Sequence, residues 1–363
     1  MDFDLSQDQK MMQASLDGTL ARVCPLARVR ALADAREAYA PDVFSALCEL
    51  GAAGILTPEE YGGMGLTMLD AALAAEILGR HVAPVPYLAT AIMAPLALLG
   101  AGSDAQKSEW LPKLASGKSI AGVAVSEHAS GARDGVGIAH RNGTLSGRAL
   151  FVLDAAADVF IVADKFGELY LAAADAKGLS STPLPTIDAT RSIAAMAFDS
   201  VKAEPLAAGN APAALERMID AGRIALAADI LGAGSAMLDK AVAYAKERKQ
   251  FGRVIGSFQA VKHLCAEMAA ELEPSRALVW HAGYSFDSFP AEARALAAHA
   301  KAHLSEVGRF VARSATEVHG GMGFTDLLGL HYWFKRVGAD RQLLGGPERA
   351  RDAAARAQGW LGN

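Results

Sequence analysis

Residues 248–259 read Arg248-Lys249-Gln250-Phe251-Gly252-Arg253-Val254-Ile255-Gly256-Ser257-Phe258-Gln259. Upstream, Met237, Ala241, Tyr244 and Arg248 recur at helical spacing. The segment therefore closes a long helix, crosses a Gly-punctuated turn and opens another helix. One corner presents an arginine, a phenylalanine and a glutamine. Taken alone, it could be a helix–turn–helix joint with a capping glycine. A second segment, Glu317-Val318-His319-Gly320-Gly321-Met322-Gly323-Phe324-Thr325, follows a helix on which Leu304, Val307 and Val311 share a face. Gly320, Gly321 and Gly323 could form a helix C-cap and tight turn, or could let backbone approach a ligand, since no Cβ intervenes.

The helical period around these segments holds from about 209 to 363, without a sustained heptad, and implies a four-helix bundle rather than a coiled coil. Between about 118 and 208 the period changes. Ile120 to Val125, Thr144 to Leu153, Val159 to Val162, Leu169 to Leu171 and Ile193 to Phe198 are short and β-prone, with turn signals at Arg141-Asn142-Gly143 and Lys165-Phe166-Gly167. This spacing suggests a small antiparallel β-barrel. Residues 1–117 read as helices: Ser6 before Gln7-Asp8-Gln9 is an N-cap, Pro41-Asp42 opens a helix stopped by Gly51 and Gly54, and Ser103 caps another. The expected fold is mainly α with a central β domain, divided as 1–117, 118–208 and 209–363.

A chain of 363 residues, 52% hydrophobic and 21% charged, can bury a large core in two or three domains. A net charge of −5 and no basic stripe argue against nucleic acid. Cys24, Cys48 and Cys265 are odd in number and far apart, offering neither a disulfide framework nor metal-ligand spacing. The start Met1-Asp2-Phe3-Asp4 is acidic, unlike a signal peptide, and the apolar run near 87–99 is too short to span a bilayer. A cytoplasmic protein without membrane insertion is expected. Phosphate-loop, dinucleotide-fingerprint, nucleophile-elbow and metal-cluster patterns are all missing from the sequence. What remains suits a flavin dinucleotide bound without such a loop: Arg248 for the pyrophosphate, Phe251 and Phe258 for the flat rings.

The two segments together, with the three-part order, resemble the acyl-CoA dehydrogenase family of flavoenzymes. Phe3 to Gln9, Leu50-Gly51 to Tyr61-Gly62-Gly63 and Leu111 to Gly117 add weaker matches, so the resemblance covers nearly the whole chain. It implies FAD-dependent oxidation of an acyl-CoA thioester to its trans-2-enoyl form, with a carboxylate taking the α-proton and electrons passing to an electron-transfer flavoprotein. It also implies a shared site, to which Arg248, Gln259 and Glu317, Val318, His319, Gly320 and Gly321 would be a neighbour's contribution, with Phe251 among the cofactor-binding residues. Asp220 and Arg223 match the family's Asp-x-x-Arg, which lines the acyl-CoA pocket; an ordinary helical ion pair is the alternative.

The pattern also breaks. The family's catalytic Glu position falls on Gly345, counted from Arg336, and its rarer position on Gly222. Ser126-Glu127-His128-Ala129-Ser130-Gly131-Ala132 replaces Thr-Glu-Pro-x-x-Gly-Ser, and Phe151-Val152-Leu153 replaces Trp-Ile-Thr. Ser126 keeps a hydroxyl and Phe151 an aromatic face for the flavin, whereas Leu153 cannot hydrogen-bond N5. Glu317 stands where Gln is usual. Small subunits of heteromeric members, which lack the base and serve a homologous catalytic subunit, look like this chain. That partner role is the expectation; a homomeric enzyme with an unrecognised base, a flavin monooxygenase on the same fold and a purely structural protein are alternatives.

Overall fold

The computed structural model describes residues 4–361; the first residues of the acidic start, Met1 to Phe3, lie outside the described residues. Six helices come first: α1 (Gln7–Val23), α2 (Leu26–Ala35), α3 (Pro41–Glu49), α4 (Met68–Arg80), α5 (Ala94–Ala101) and α6 (Asp104–Ala115). Their starts follow local chemistry. Ser6 with Gln9, and Ser103 with Gln106, form capping boxes that satisfy two orphan N–H groups each, and Pro41 opens α3 where no N–H is needed. Pro95 has no N–H to return to Ala91, and a wider π turn, Leu88–Met93, precedes it.

The middle of the chain is a curled sheet of β1 (Ala121–Ala124), β2 (Gly137–Arg141), β3 (Thr144–Leu153), β4 (Val159–Ala163), β5 (Leu169–Ala173), β6 (Leu179–Pro183), β7 (Ile193–Lys202) and β8 (Glu204–Pro205). A short helix, α7 (Ser126–Ser130), leaves β1. The order is β6-β7-β3-β1-β4-β5-β8, with β2 on β3. Two details differ from an antiparallel barrel. β1 and β4 run parallel, in register from Ala121 opposite Val159 to Ala124 opposite Val162, and no pairing of β6 with β8 closes the sheet among the described residues. Both parallel strands are wholly buried, which suits that pairing.

The last part holds α8 (Ala211–Glu247), a two-residue-per-strand hairpin of β9 (Lys249–Gln250) and β10 (Arg253–Val254), then α9 (Gln259–Ser288), α10 (Pro290–His319), α11 (Leu330–Gln342) and α12 (Pro347–Ala357). Four helices, α8 to α11, make the expected bundle, and α12 is added against α10. α8 is long and apolar enough to cross a membrane, yet 89% of its most apolar stretch is buried, so it is a core helix.

A buried ionic joint locks the sheet to this bundle. Arg336 on α11 donates to both oxygens of Asp229 on α8 (3.1 and 2.8 Å) and to Thr190 Oγ1 (2.9 Å). Arg191, just before β7, donates to Asp340 at 2.6 Å and Asp229 at 3.2 Å. Two guanidiniums thus face two carboxyl groups, the pairing that makes burying them tolerable.

Candidate functional site

A cleft of about 460 Å³ opens between the sheet and the segment joining α11 to α12. The sheet side contributes Val123, Val125, Leu153 and Phe151; α7 contributes Ser126 and Ser130; the bundle contributes Leu343, Leu344 and Gly346. Phe151 reaches the cleft because β3 slips register against β7 between Ala149 and Val152, and its φ of 52° turns it off the strand. The Ser126 hydroxyl is buried without a hydrogen-bond partner among the described residues. An unpaired buried hydroxyl beside an aromatic ring and aliphatic walls suits a flat ring with a polar edge.

The loop on the bundle side carries Gly345, where the sequence reading expects the base. Leu344 and Gly345 both take left-handed backbone, with φ of 54° and 93°. A Cβ on Gly345 would stand 2.7 Å from the Ala129 carbonyl oxygen, so a side chain there meets both strain and collision. A Cβ on Gly222 would collide with Leu344 Cδ1 and lie 3.1 Å from Met93 Sδ. Gly345 is closed by backbone, whereas at Gly222 the obstacles are the movable ends of Leu344 and Met93. The loop is held from behind by its carbonyl groups: Arg223 Nε donates to Leu344 O at 3.1 Å, and Lys301 Nζ to Arg341 O at 2.9 Å and Gly345 O at 3.2 Å. Burial pushes the Lys301 ammonium down to about 7, so near neutrality it donates at little charge cost.

Asp220 and Arg223 do not line the cleft. They are buried 3.5 Å apart, and Asp220 also accepts from Arg294 at 3.3 Å. Lys301 and this loop clamp escaped the sequence reading. The signal was present: Lys301 falls on the same face as Ala297, Leu304, Gly308 and Val311, an odd place for a lysine unless it has backbone to bind.

The remaining candidates gather at one end of the bundle. Tyr244 on α8 stacks on His319 of α10 with centroids 4.7 Å apart, which brings the Arg248 corner beside the Gly320 loop. His319 is fixed through Nδ1 on Ala315 O at 2.7 Å, and Val318 is buried beneath. Arg248, Gln259 and Glu317 are exposed. A Cβ on Gly320 or Gly321 would meet nothing within 4 Å, so this loop faces open space. Gly323 behaves differently: its Cβ would come 2.7 Å from Thr316 O, so this glycine serves close packing inside the chain, not ligand approach. Phe251 and Gly252 turn the β9–β10 hairpin with φ of 53° and 75°, as a two-residue primed turn needs. Phe251 is 91% exposed and meets Phe258 edge-on at 6.1 Å.

Ser126 and Phe151 therefore share a cleft, and none of the corner residues lines it. A helical domain, a curled sheet and a bundle, with a ring-sized cleft between sheet and bundle, give the architecture that the resemblance to the acyl-CoA dehydrogenase family implies. Residues 6–118 match the family model for the acyl-CoA dehydrogenase N-terminal domain, and residues 212–359 match that for the C-terminal domain. The chain is 32% identical to acyl-CoA dehydrogenase IpdE2 of Mycolicibacterium smegmatis over 345 residues, covering 94% of this chain and 96% of that protein. Among solved structures it is similar to a variant of the Tcur3481-Tcur3483 steroid ACAD (TM-score 0.88, 28% identity, 98% of each chain). It is also similar to the ChsE4-ChsE5 complex from Mycobacterium tuberculosis (TM-score 0.90, 25% identity, 100% of each chain). The chain belongs to the acyl-CoA dehydrogenase family, whose members are FAD-dependent oxidoreductases.

Proposed function

We propose that this chain is the base-less subunit of a heteromeric acyl-CoA dehydrogenase. It lends Arg248, Phe251, Gln259 and the end of α10 with its Gly320–Gly321 turn to an FAD seated in a homologous subunit that carries the catalytic Glu. One observation carries the reading: Gly345, where the base is expected, is shut by positive φ and the Ala129 carbonyl, while the Arg248 corner stands exposed. The resemblance to a complex named for two different chains, ChsE4-ChsE5, supports it. The substrate is an acyl-CoA thioester of fatty-acid or steroid origin, and electrons leave through an electron-transfer flavoprotein.

FAD supplies the hydride acceptor when bound; this chain's residues position it. The Arg248 guanidinium offers a paired set of donors to a pyrophosphate, and Phe251 offers a ring face. In this chain's own cleft, Ser126 and Phe151 would face the flavin edge and ring. Arg223, paired with Asp220, acts on the substrate side only by holding the Leu344 carbonyl. The three free thiols accord with a reducing, cytoplasmic setting.

The test is co-purification with a Glu-bearing homologue. Acyl-CoA turnover should need both chains, and Arg248→Ala should cut FAD retention by the complex about 10- to 100-fold, the worth of one or two charge-assisted hydrogen bonds. Full turnover by the lone chain would refute the proposal.

A further inference from the structure

We propose that a second cleft, among α1, α8 and α11, binds a small monocarboxylate with an apolar body, held by the Lys240 ammonium. This cleft measures about 420 Å³ and shares no lining residue with the one between sheet and bundle. Short side chains leave the space: Ala21 on α1, and Ala236 and Ala243 seven residues apart on α8, all line it. Leu26 from the start of α2 adds a further aliphatic wall. Trp333 of α11 adds a nearly buried ring, fixed by its Nε1 donating to the Arg80 carbonyl oxygen at 2.9 Å. The result is an apolar space closed on one side by an aromatic ring and edged by charge, the general make-up of a small-molecule site.

The charged groups around this cleft are paired, with one exception. Arg80 meets Asp239 at 2.9 Å, and His81 meets Asp17 at 2.8 Å. Lys240 meets no carboxylate among the described residues; its ammonium lies over the Trp333 ring, 4.6 Å from the centroid. Asp239 precedes it directly, but successive residues of a helix point apart. A ring face attracts the cation without supplying the hydrogen-bond acceptors it has lost. Burial, with the Arg80 guanidinium nearby, pushes the Lys240 ammonium below its ordinary value, the mark of a cation that lacks a counter-charge. A carboxylate entering the cleft would supply acceptors and counter-charge together. One free ammonium balances one negative charge, and the exposed Asp239 would repel the second charge of a phosphate, so the fit is to a monoanion. The alanines, Leu26 and Trp333 would take a body the size of one ring or a short chain.

The inference rests neither on the partner role of the Arg248 corner nor on the cleft beside Ser126 and Phe151, because none of those residues lines this cleft.

The experiment titrates the full-length chain by calorimetry with 3-phenylpropionate, hexanoate, 3-phenylpropionamide, acetate and inorganic phosphate. At least one of the two larger acids should bind at least about tenfold more tightly than the amide, acetate or phosphate, since only those acids offer both charge and body. Whichever of the two binds better tells a ring-shaped body from a chain. Lys240→Met, which keeps an apolar stem and removes the charge, should lose about tenfold, and Lys240→Arg should keep most of the affinity. Ala243→Leu, which narrows the cleft and leaves the ammonium in place, should also lose about tenfold. Thermal midpoints without ligand should stay close to the parent's in all three variants, because positions 240 and 243 are partly or fully exposed. Arg248→Ala should leave this binding intact, which separates the inference from the partner role. Failure of both acids to bind saturably, equal binding of the amide, tighter binding of phosphate, or Lys240→Met within twofold of the parent would overturn it.

Discussion

The cleft and the corner are built from the same bundle and have opposite energetics. The α11–α12 loop is tied down: Leu344 fills the space above Gly222, and Arg223 and Lys301 hold its carbonyl groups. At the corner, by contrast, a phenylalanine sits in left-handed backbone with nine-tenths of its surface in water, and two glycines face open space. Left-handed backbone costs a non-glycine residue about 1–2 kcal/mol, and burial within this chain does not offset it at Phe251. Strain at Leu344 is repaid by packing; strain at Phe251 is only partly offset, by an exposed edge contact with Phe258. The loop beside the cleft is tied into the interior, whereas the corner is an exposed surface, the one proposed above to meet a neighbour.

The most severe break of this contrast is Arg336→Ala, in the joint that sets the sheet against the bundle beneath the cleft. It leaves Asp229 buried without its main partner and should destabilise the chain by about 3–5 kcal/mol in chemical denaturation, while Arg248→Ala at the corner changes stability by under about 0.5 kcal/mol. Equal effects of the two would erase the distinction. The joint also has a pH signature. Burial, with Asp229 alongside, pushes the Asp340 carboxyl up to about 8. A raised folded-state value means that the folded chain keeps a proton the unfolded chain has lost. The stabilisation is complete below the ordinary value of 3.8 and is gone once pH passes about 8. Across that window stability should fall by at most about 1.4 kcal/mol per pH unit, and Asp340→Asn should flatten the profile.

Much of this was legible in the sequence, and the boundary follows sequence distance. Caps are local, so Ser6 with Gln9, and Ser103 with Gln106, could be read from four residues each. Buried strands with continuous apolar runs, such as Val159–Ala163, could be read as well. β2 and β6 could not: Gly-Ile-Ala-His-Arg and Leu-Ser-Ser-Thr-Pro have little apolar pattern because they lie at the exposed margins of the sheet. The parallel pairing of β1 with β4 joins residues 38 apart, as at Ala121 and Val159, and leaves no local mark. At the site, the resemblance marked Gly345 as the expected base position, but nothing in the sequence marked the positive φ that a side chain there would have to adopt. Arg133 and Arg349 line one cleft only because the whole fold brings 216 residues of chain back on itself.

That closed loop predicts the outcome of the obvious repair. Gly345→Glu would place the family's carboxylate at its usual position in the sequence, but in left-handed backbone against the Ala129 carbonyl. We expect a loss of about 2–4 kcal/mol in stability and no α-proton abstraction by the lone chain, measured as acyl-CoA turnover with an artificial electron acceptor. Turnover restored by this single change would mean that the cleft is far more plastic than its hydrogen bonds imply.

The corner answers to a smaller and opposite effect. Phe251 and Gly252 form a two-residue hairpin turn whose geometry favours Asn-Gly, since asparagine tolerates the left-handed region far better than phenylalanine. Phe251→Asn removes about 1 kcal/mol of strain and gives up only a solvent-facing edge contact with Phe258, worth about half of that. The lone chain should become more stable by about 0.5 kcal/mol, read as a raised denaturation midpoint with an unchanged slope. If the ring is kept for a neighbour's flavin, the same substitution should weaken FAD retention by the two-chain complex about tenfold, the value of burying one aromatic side chain. A gain in one measurement with a loss in the other is the mark of a residue held strained for use outside its own chain. A stability loss with an unaffected complex would instead make Phe251 a structural residue of the turn.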